Sequence, residues 1–379
     1  MRIAVDALQP LAGEAFAGAG EVIRLYPEEI TNSALRRADA LVCRSTVKVT
    51  PELLADTAVR FVGTCTIGFD HIDCAYLDAR QIGFSAAPGC NSDSVGEYIT
   101  AALLTYAVEK GVSLQNKTLG IIGAGNVGKA VARRAKALRM RVLLNDPPRA
   151  RAEGAAGFME LPELLRESDF VSLHVPLNKS GDDRTLGMAD EKFFAAMKPG
   201  AVFINASRGK VVWEDALAQA LDGGRLAAAI LDVWASEPHP DPELVKKCFI
   251  ATPHIAGHSY DGKVNGTAII YNAFCHHFGM TPAWKPDVAM PELAVTRIDI
   301  QSDAAFEVEL LDAVSAVYDI RADHRRFTAN PDDFSRLRKT YPQRMEFSHT
   351  VASAPNSRPD LCAGLAGIGF APDTGFSER

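Results

Sequence analysis

Three polar residues stand just beyond short apolar runs in the second third of the chain. They are Arg208 in Asn205-Ala206-Ser207-Arg208-Gly209, Glu237 in Asp232-Val233-Trp234-Ala235-Ser236-Glu237-Pro238, and His254 in Thr252-Pro253-His254-Ile255-Ala256-Gly257. As a set they suit the oxidation of an alcohol. An imidazole that titrates near neutrality can take the hydroxyl proton while hydride leaves the carbon. A neighbouring carboxylate orients that ring and favours its protonated form. A guanidinium, a planar fork of donors, can clamp a substrate carboxylate and polarise the carbonyl that forms beside it. Singly, each has a plainer reading: an Arg capping a strand end, a Glu opening a turn before proline, a loop His.

The hydride acceptor is announced upstream by Gly123-Ala124-Gly125-Asn126-Val127-Gly128, which a strand-like run (117–123) precedes and a helical run (129–140) follows. In that context the first glycine gives the turn, the second lets a pyrophosphate approach the backbone, and the third lets helix pack on strand. The helix start offers free N–H groups and a positive dipole end to the phosphates. A second strand, 142–145, runs into Asp146, at the distance where a carboxylate meets the ribose hydroxyls of NAD and repels the 2′-phosphate of NADP. NAD is the expected cofactor.

Strands and helices must position these residues, and the chain alternates them. Apolar runs at 3–5, 22–25, 40–43, 61–64 and 83–86 read as strands of a first parallel lobe. A long helix over 93–109 leads into a second set at 170–175, 201–205, 227–233 and 249–251. A helix over about 263–278 returns to the first lobe. The fold class expected is α/β, with two doubly wound parallel-sheet lobes, flavodoxin-like for substrate (1–92 with 258–286) and Rossmann for NAD (93–257). A C-terminal α+β module (287–379) follows, read as a strand at 294–300, helices at 306–317 and 332–340, and a strand at 346–352. The apolar positions Phe306, Val308, Leu310, Leu311, Val314 and Val317 lie on the first of those helices and read as a dimer surface.

Composition excludes several classes. The 379 residues are 47% hydrophobic and 23% charged with net charge −7, so neither nucleic acid nor an anionic membrane is an expected partner. No apolar run approaches the ~20 residues of a membrane span. The opening Met1-Arg2-Ile3-Ala4-Val5-Asp6 reads as a first strand rather than a signal peptide. Seven cysteines without a C-x-x-C pair read as free thiols of a reducing cytoplasm, and no His or Cys spacing suggests a metal site.

The glycine motif and the segments around Arg208, Glu237 and His254, with Leu231-Asp232-Val233-Trp234, resemble the D-isomer-specific 2-hydroxyacid dehydrogenases. The resemblance extends to about residue 350 through Phe61-Val62-Gly63-Thr64, Asp70-His71-Ile72-Asp73, Gly83 to Asn91, Asn145 to Arg149 and the C-terminal module. These point to a branch that oxidises a four-carbon hydroxy acid phosphorylated at C4, in vitamin B6 synthesis, as a homodimer. By resemblance Arg208, Glu237 and His254 are active-site residues. Gly123, Gly125, Asn126, Val127, Gly128, Asp146, Val175, Asp232 and Gly257 contact NAD, and Ser45, Thr66 and His258 contact substrate. Arg44 is the basic residue placed by position to meet the phosphate, with Arg336, Arg338, Lys339 and Arg344 of a dimer partner as a second source. His258 stands where the family usually has Tyr, and Val175 where it usually has Thr. Two other readings stay open: a sister dehydrogenase such as one acting on phosphoglycerate, and an NAD-sensing scaffold on the same fold.

Overall fold

The computed structural model describes residues 1–286, 293–301 and 303–373. It divides into two compact units, one of 1–91 with the described part of 258–292, the other of 92–257 with the described residues from 293 onward. The C-terminal segment thus clusters with the nucleotide unit.

In the first unit β1 (Arg2–Asp6), β2 (Glu21–Leu25), β3 (Ala40–Cys43), β4 (Phe61–Thr64) and β5 (Gly83–Ser85) form a parallel sheet ordered β2-β1-β3-β4-β5. That is the flavodoxin-like order. The β1, β3 and β4 strands are near-continuous apolar runs because helices cover both faces of a parallel sheet. One covering helix is Tyr260–His277, whose Ile270 and Phe274 are fully buried beside Phe16 and Phe61. His277 of the adjacent pair His276-His277 packs against the Phe61 ring, 5.3 Å between centroids.

In the second unit β6 (Thr118–Ile122), β7 (Arg141–Asn145), β8 (Phe170–Leu173), β9 (Ala201–Asn205), β10 (Leu226–Leu231) and β11 (Ile250–Ala251) form a parallel sheet ordered β11-β10-β9-β8-β6-β7. The Rossmann pattern would carry a further strand beyond β7. Here that edge is a short extended stretch, tied by the Met159 amide to the Leu144 carbonyl at 2.7 Å. The strand order reverses between β6 and β8, so the crevice at their carboxyl ends is the topological switch point where such sheets bind ligands. Gly123 follows β6 and Val175 follows β8, which puts both at that point.

The C-terminal segment adds β12 (Arg297–Asp299), β13 (Val351–Ser353) and β14 (Ala371–Pro372), a parallel sheet in that order. Its helices are Phe306–Val317, Ile320–Ala329, Phe334–Lys339 and Pro359–Ile368. The apolar face read as a dimer surface is largely covered within the chain. Phe306, Leu310 and Val314 are buried in one cluster with Tyr98, Leu103 and Leu361, from helix Ser92–Lys110 and helix Pro359–Ile368. Among the described residues no helix is long and apolar enough to cross a membrane.

Candidate active site

The carboxyl ends of β9, β10 and β11, three neighbouring strands, carry Arg208, Glu237 and His254 respectively. The structure brings His254 and Glu237 together: Nδ1 lies 2.8 Å from Glu237 Oε2. The other carboxylate oxygen accepts the Trp234 amide at 2.9 Å, which fixes the carboxylate plane. With Nδ1–H donated to a carboxylate, Nε2 carries the lone pair and can take a substrate proton. Burial alone would raise the Glu237 carboxyl, but His254, the Trp234 amide and the Arg338 cation together hold it below its ordinary value.

His254 sits in left-handed backbone, φ 58°, a conformation that costs a non-glycine residue roughly 1–3 kcal/mol and persists only where surroundings enforce it. The enforcement is visible. The His254 amide donates to the Asp232 carbonyl at 2.7 Å, and the Asp232 side chain accepts Ile255 N (2.8 Å), Ala256 N (2.9 Å) and Thr252 Oγ1 (2.6 Å). Tyr98 OH lies 2.8 Å from Thr252 Oγ1, and Ser94 Oγ donates to the Ala256 carbonyl at 2.8 Å. Desolvation raises the Asp232 carboxyl above its ordinary value, while His254, Thr252 and the two amides pull the other way. Asp232, named by resemblance as a cofactor contact, therefore also builds the loop that holds the histidine. Gly257 is the last residue of this unit before the chain returns to the first.

Arg208 lies on a loop set by Asn205, whose Oδ1 accepts both the amide and the hydroxyl of Ser207 and whose Nδ2 donates to the Arg208 carbonyl. The following Gly209 lets this loop touch the next one: a Cβ there would stand 1.9 Å from the Trp234 carbonyl carbon. No side chain fits, so the loops bearing Arg208 and Glu237 are in backbone contact.

The glycine turn fits a dinucleotide. A Cβ on Gly123 (φ 91°) would meet the His174 carbonyl oxygen at 2.4 Å, and one on Gly128 the Gly123 oxygen at 2.1 Å, whereas nothing lies within 4 Å of one on Gly125. The first and third glycines are forced by packing, and the second leaves the open space a pyrophosphate needs. Helix Asn126–Ala137 starts there, with Asn126 exposed and Val127 half-buried. Asp146 Oδ2 accepts the Ala124 amide at 2.8 Å and Oδ1 caps the next helix at Arg149 N, 3.1 Å. Each oxygen has a lone pair left for a ribose hydroxyl. The cation nearby, Arg149, is held by both carboxylate oxygens of Glu153. Val175 presents a methyl 3.0 Å from the position of a Gly123 Cβ, and has no hydroxyl to offer a cofactor.

In the first unit Ser45 lies in the turn after β3, closed by Val47 N to Arg44 O at 3.1 Å. Thr66 Oγ1 lies 2.8 Å from Thr64 Oγ1 and donates to the Gly68 carbonyl at 2.9 Å, which orders the loop after β4. Arg44 is forked onto the fully buried Asp6, Nε to Oδ2 at 2.8 Å and Nη2 to Oδ1 at 3.3 Å, so much of its charge is already matched. His258 begins the second passage through this unit, two residues before helix Tyr260–His277.

The family model for the NAD-binding domain of D-isomer-specific 2-hydroxyacid dehydrogenases matches residues 99–256. An erythronate-4-phosphate dehydrogenase of Edwardsiella ictaluri is 44% identical over 356 residues, 92% of this chain and 93% of the relative. One of Chromohalobacter salexigens is 42% identical over 376 residues, 98% of both chains. The chain belongs to the D-isomer-specific 2-hydroxyacid dehydrogenases. It is an NAD-dependent oxidoreductase of that class, and NAD is its cofactor. Among solved structures, the NAD-bound 3-phosphoglycerate dehydrogenase of Entamoeba histolytica superposes with a TM-score of 0.63 at 26% identity, over 74% of this chain and 95% of that one. A second model, described only as a domain of unknown function (DUF3410), matches 289–364.

The structure of this dehydrogenase adds a residue that sequence reasoning missed. Lys263, in the first turn of helix Tyr260–His277, is largely withdrawn from water, which lowers its ammonium pKa, and the Arg44 cation pushes the same way. Two cations close enough to repel one another, one of them largely buried, are a place for an anion. The only sequence signal was a lone Lys early in a helix, where a cation opposes the dipole. One expectation needs correcting. Arg344, assigned above to a partner's phosphate contact, is buried in its own chain, with Nη1 on Glu97 Oε2 at 2.8 Å and its guanidinium 4.5 Å over the Tyr318 ring. The Arg338 of the same cluster meets the His254 carbonyl of its own chain.

Proposed function

We propose that this dehydrogenase oxidises 4-phospho-D-erythronate to 2-oxo-3-hydroxy-4-phosphobutanoate in pyridoxine synthesis, the activity carried in the names of relatives 39–44% identical over nearly the whole chain. The observation that carries it is the His254–Glu237 pair at the strand ends. NAD, when bound, supplies the hydride acceptor. His254 Nε2 takes the proton of the C2 hydroxyl while Nδ1–H remains on Glu237, so the imidazolium forms against a carboxylate. Arg208 clamps the C1 carboxylate and steadies the forming carbonyl oxygen. Ser45, Thr66 and His258 bind substrate by polar contacts, and Lys263 with Arg44 takes the C4 phosphate.

The substrate is tested by kcat/KM for 4-phospho-D-erythronate and for D-erythronate. The wild type should prefer the phosphorylated acid, and Lys263→Met should cut that preference about ten- to a hundredfold, the worth of one charge-assisted contact. Lys263→Met is a cleaner variant than Arg44→Ala, which strands the buried Asp6 carboxylate and loses stability besides. No preference in the wild type would remove the proposed substrate and leave a D-2-hydroxyacid dehydrogenase of other specificity. A full preference in Lys263→Met would remove only the lysine.

The resemblance also supports a homodimer and a cytoplasmic enzyme. None of the seven cysteines is joined in a disulfide, as a reducing compartment allows. Sedimentation at micromolar concentration should give twice the chain mass, and a single 40.8 kDa species would discard the dimer.

A further inference from the structure

The strand that leads to the catalytic histidine is the edge of its sheet: among the described residues β11 has β10 on one side and no strand on the other. Exposed edges need partners for their N–H and C=O groups. Here three side chains of the C-terminal segment supply them in succession. Arg321 Nη1 donates to the Phe249 carbonyl at 2.6 Å, His324 Nδ1 accepts the Ala251 amide at 3.0 Å, and Arg338 Nε donates to the His254 carbonyl at 3.2 Å. Each is itself anchored. Arg321 lies 4.0 Å over the Phe249 ring and is paired with Glu109; the helices bearing His324 and Arg338 pack together through Phe327 and Phe334, rings 6.1 Å apart. Tyr341, just past the second of these helices, donates to Asp323 on the first at 2.7 Å. The last contact falls on the one residue of the active loop that is held in left-handed backbone, and on its carbonyl, which the Asp232 bonds to the neighbouring amides leave untouched.

We propose that Arg338 is a positioning residue for His254, and that residues 321–338, within the segment whose family model is described as a domain of unknown function, serve as a brace for the strand and loop that carry the base. The role is distinct from dimer formation and operates within one chain. It rests on His254 being the base. Arg338 also adds a positive charge beside the His254–Glu237 pair. The other charged groups bearing on that pair are Asp232 beneath the loop and Glu214, whose Oε1 accepts the Ala235 amide; Arg208 stands on the adjoining loop. Removing the Arg338 cation therefore makes the pair take up a proton more readily, and the acid limb of the kcat/KM profile moves to higher pH.

The experiment compares full-length Arg338→Ala, Arg338→Lys and the control Arg336→Ala, an exposed neighbour paired with Asp333, by kcat, KM, NAD affinity and pH profile. A loose base costs ~10²-fold when misplaced by an ångström. Arg338→Ala should lose about ten- to a hundredfold in kcat with NAD affinity within twofold of wild type and the acid limb shifted upward. Arg338→Lys should restore the limb and part of kcat, and Arg336→Ala should match wild type. Wild-type kcat and profile in Arg338→Ala, or a loss that tracks only the unfolded fraction with the limb unmoved, would overturn the brace. His254→Ala run in parallel separates the two readings: if it is inactive while Arg338→Ala is normal, only the brace fails, and if it turns over normally, the base assignment fails with it.

Discussion

Replacing His254 with Ala is expected to lower kcat by ~10²–10⁴, the usual worth of a positioned general base, with NAD affinity nearly unchanged because the glycine turn and Asp146 are untouched. Glu237→Gln should cost less and act on the profile. The carboxylate favours the protonated ring at 2.8 Å, so its loss moves the acid limb of kcat/KM to lower pH, opposite in sign to Arg338→Ala. Steady-state rates from pH 5 to 9 with both variants check this. Near-normal turnover in His254→Ala would require another base. Stability follows the same pair. Because Glu237 is held below its ordinary carboxyl value in the folded state, its contribution is complete above that ordinary value and is lost as pH falls through the lowered one.

The second large effect concerns cofactor choice. Asp146→Ser should weaken NAD binding about ten- to a hundredfold through lost charge-assisted bonds to ribose, and should raise NADP use by removing the charge that repels a 2′-phosphate. Serine is chosen because it can still cap the helix at Arg149, where Ala would also cost ~1 kcal/mol of stability. With the carboxylate gone, Arg149 stands beside the vacated position. Equal kcat/KM with NAD and NADP in the wild type would defeat the reading of Asp146.

Much of this was legible in the chain because local chemistry and tertiary role agree. Glycines 123, 125 and 128 sit between a β-period and a helix-period run, and the parallel strands are short apolar blocks, so both sheets could be read before their order was known. Helix Ile320–Ala329 was not read. Its residues Ile-Arg-Ala-Asp-His-Arg-Arg-Phe-Thr-Ala offer only two large apolar positions, Ile320 and Phe327; both are buried, and the polar contacts of Asp323 and His324 complete the packing of the same face. Helix Pro359–Ile368 was hidden in a Gly- and Ala-rich stretch. The glycines that lower its propensity are the ones packing requires: a Cβ on Gly364 would meet the Phe306 ring at 2.9 Å, and one on Gly367 the Ala137 Cβ at 2.5 Å. At the site, residue types gave the base and its carboxylate. Lys263 and Arg338 were not assignable, because the meaning of a lone cation depends on which backbone or charge the fold sets beside it.

The absence of a side chain at Gly209 has a mechanical consequence. With the Arg208 loop and the Trp234–Glu237 loop pressed backbone to backbone, and Glu237 hydrogen-bonded to His254, the clamp and the base cannot sample positions independently of each other. They form one stiff piece, so thermal motion of either loop alone is suppressed and any movement that admits substrate must carry carboxylate, base and clamp as a rigid body.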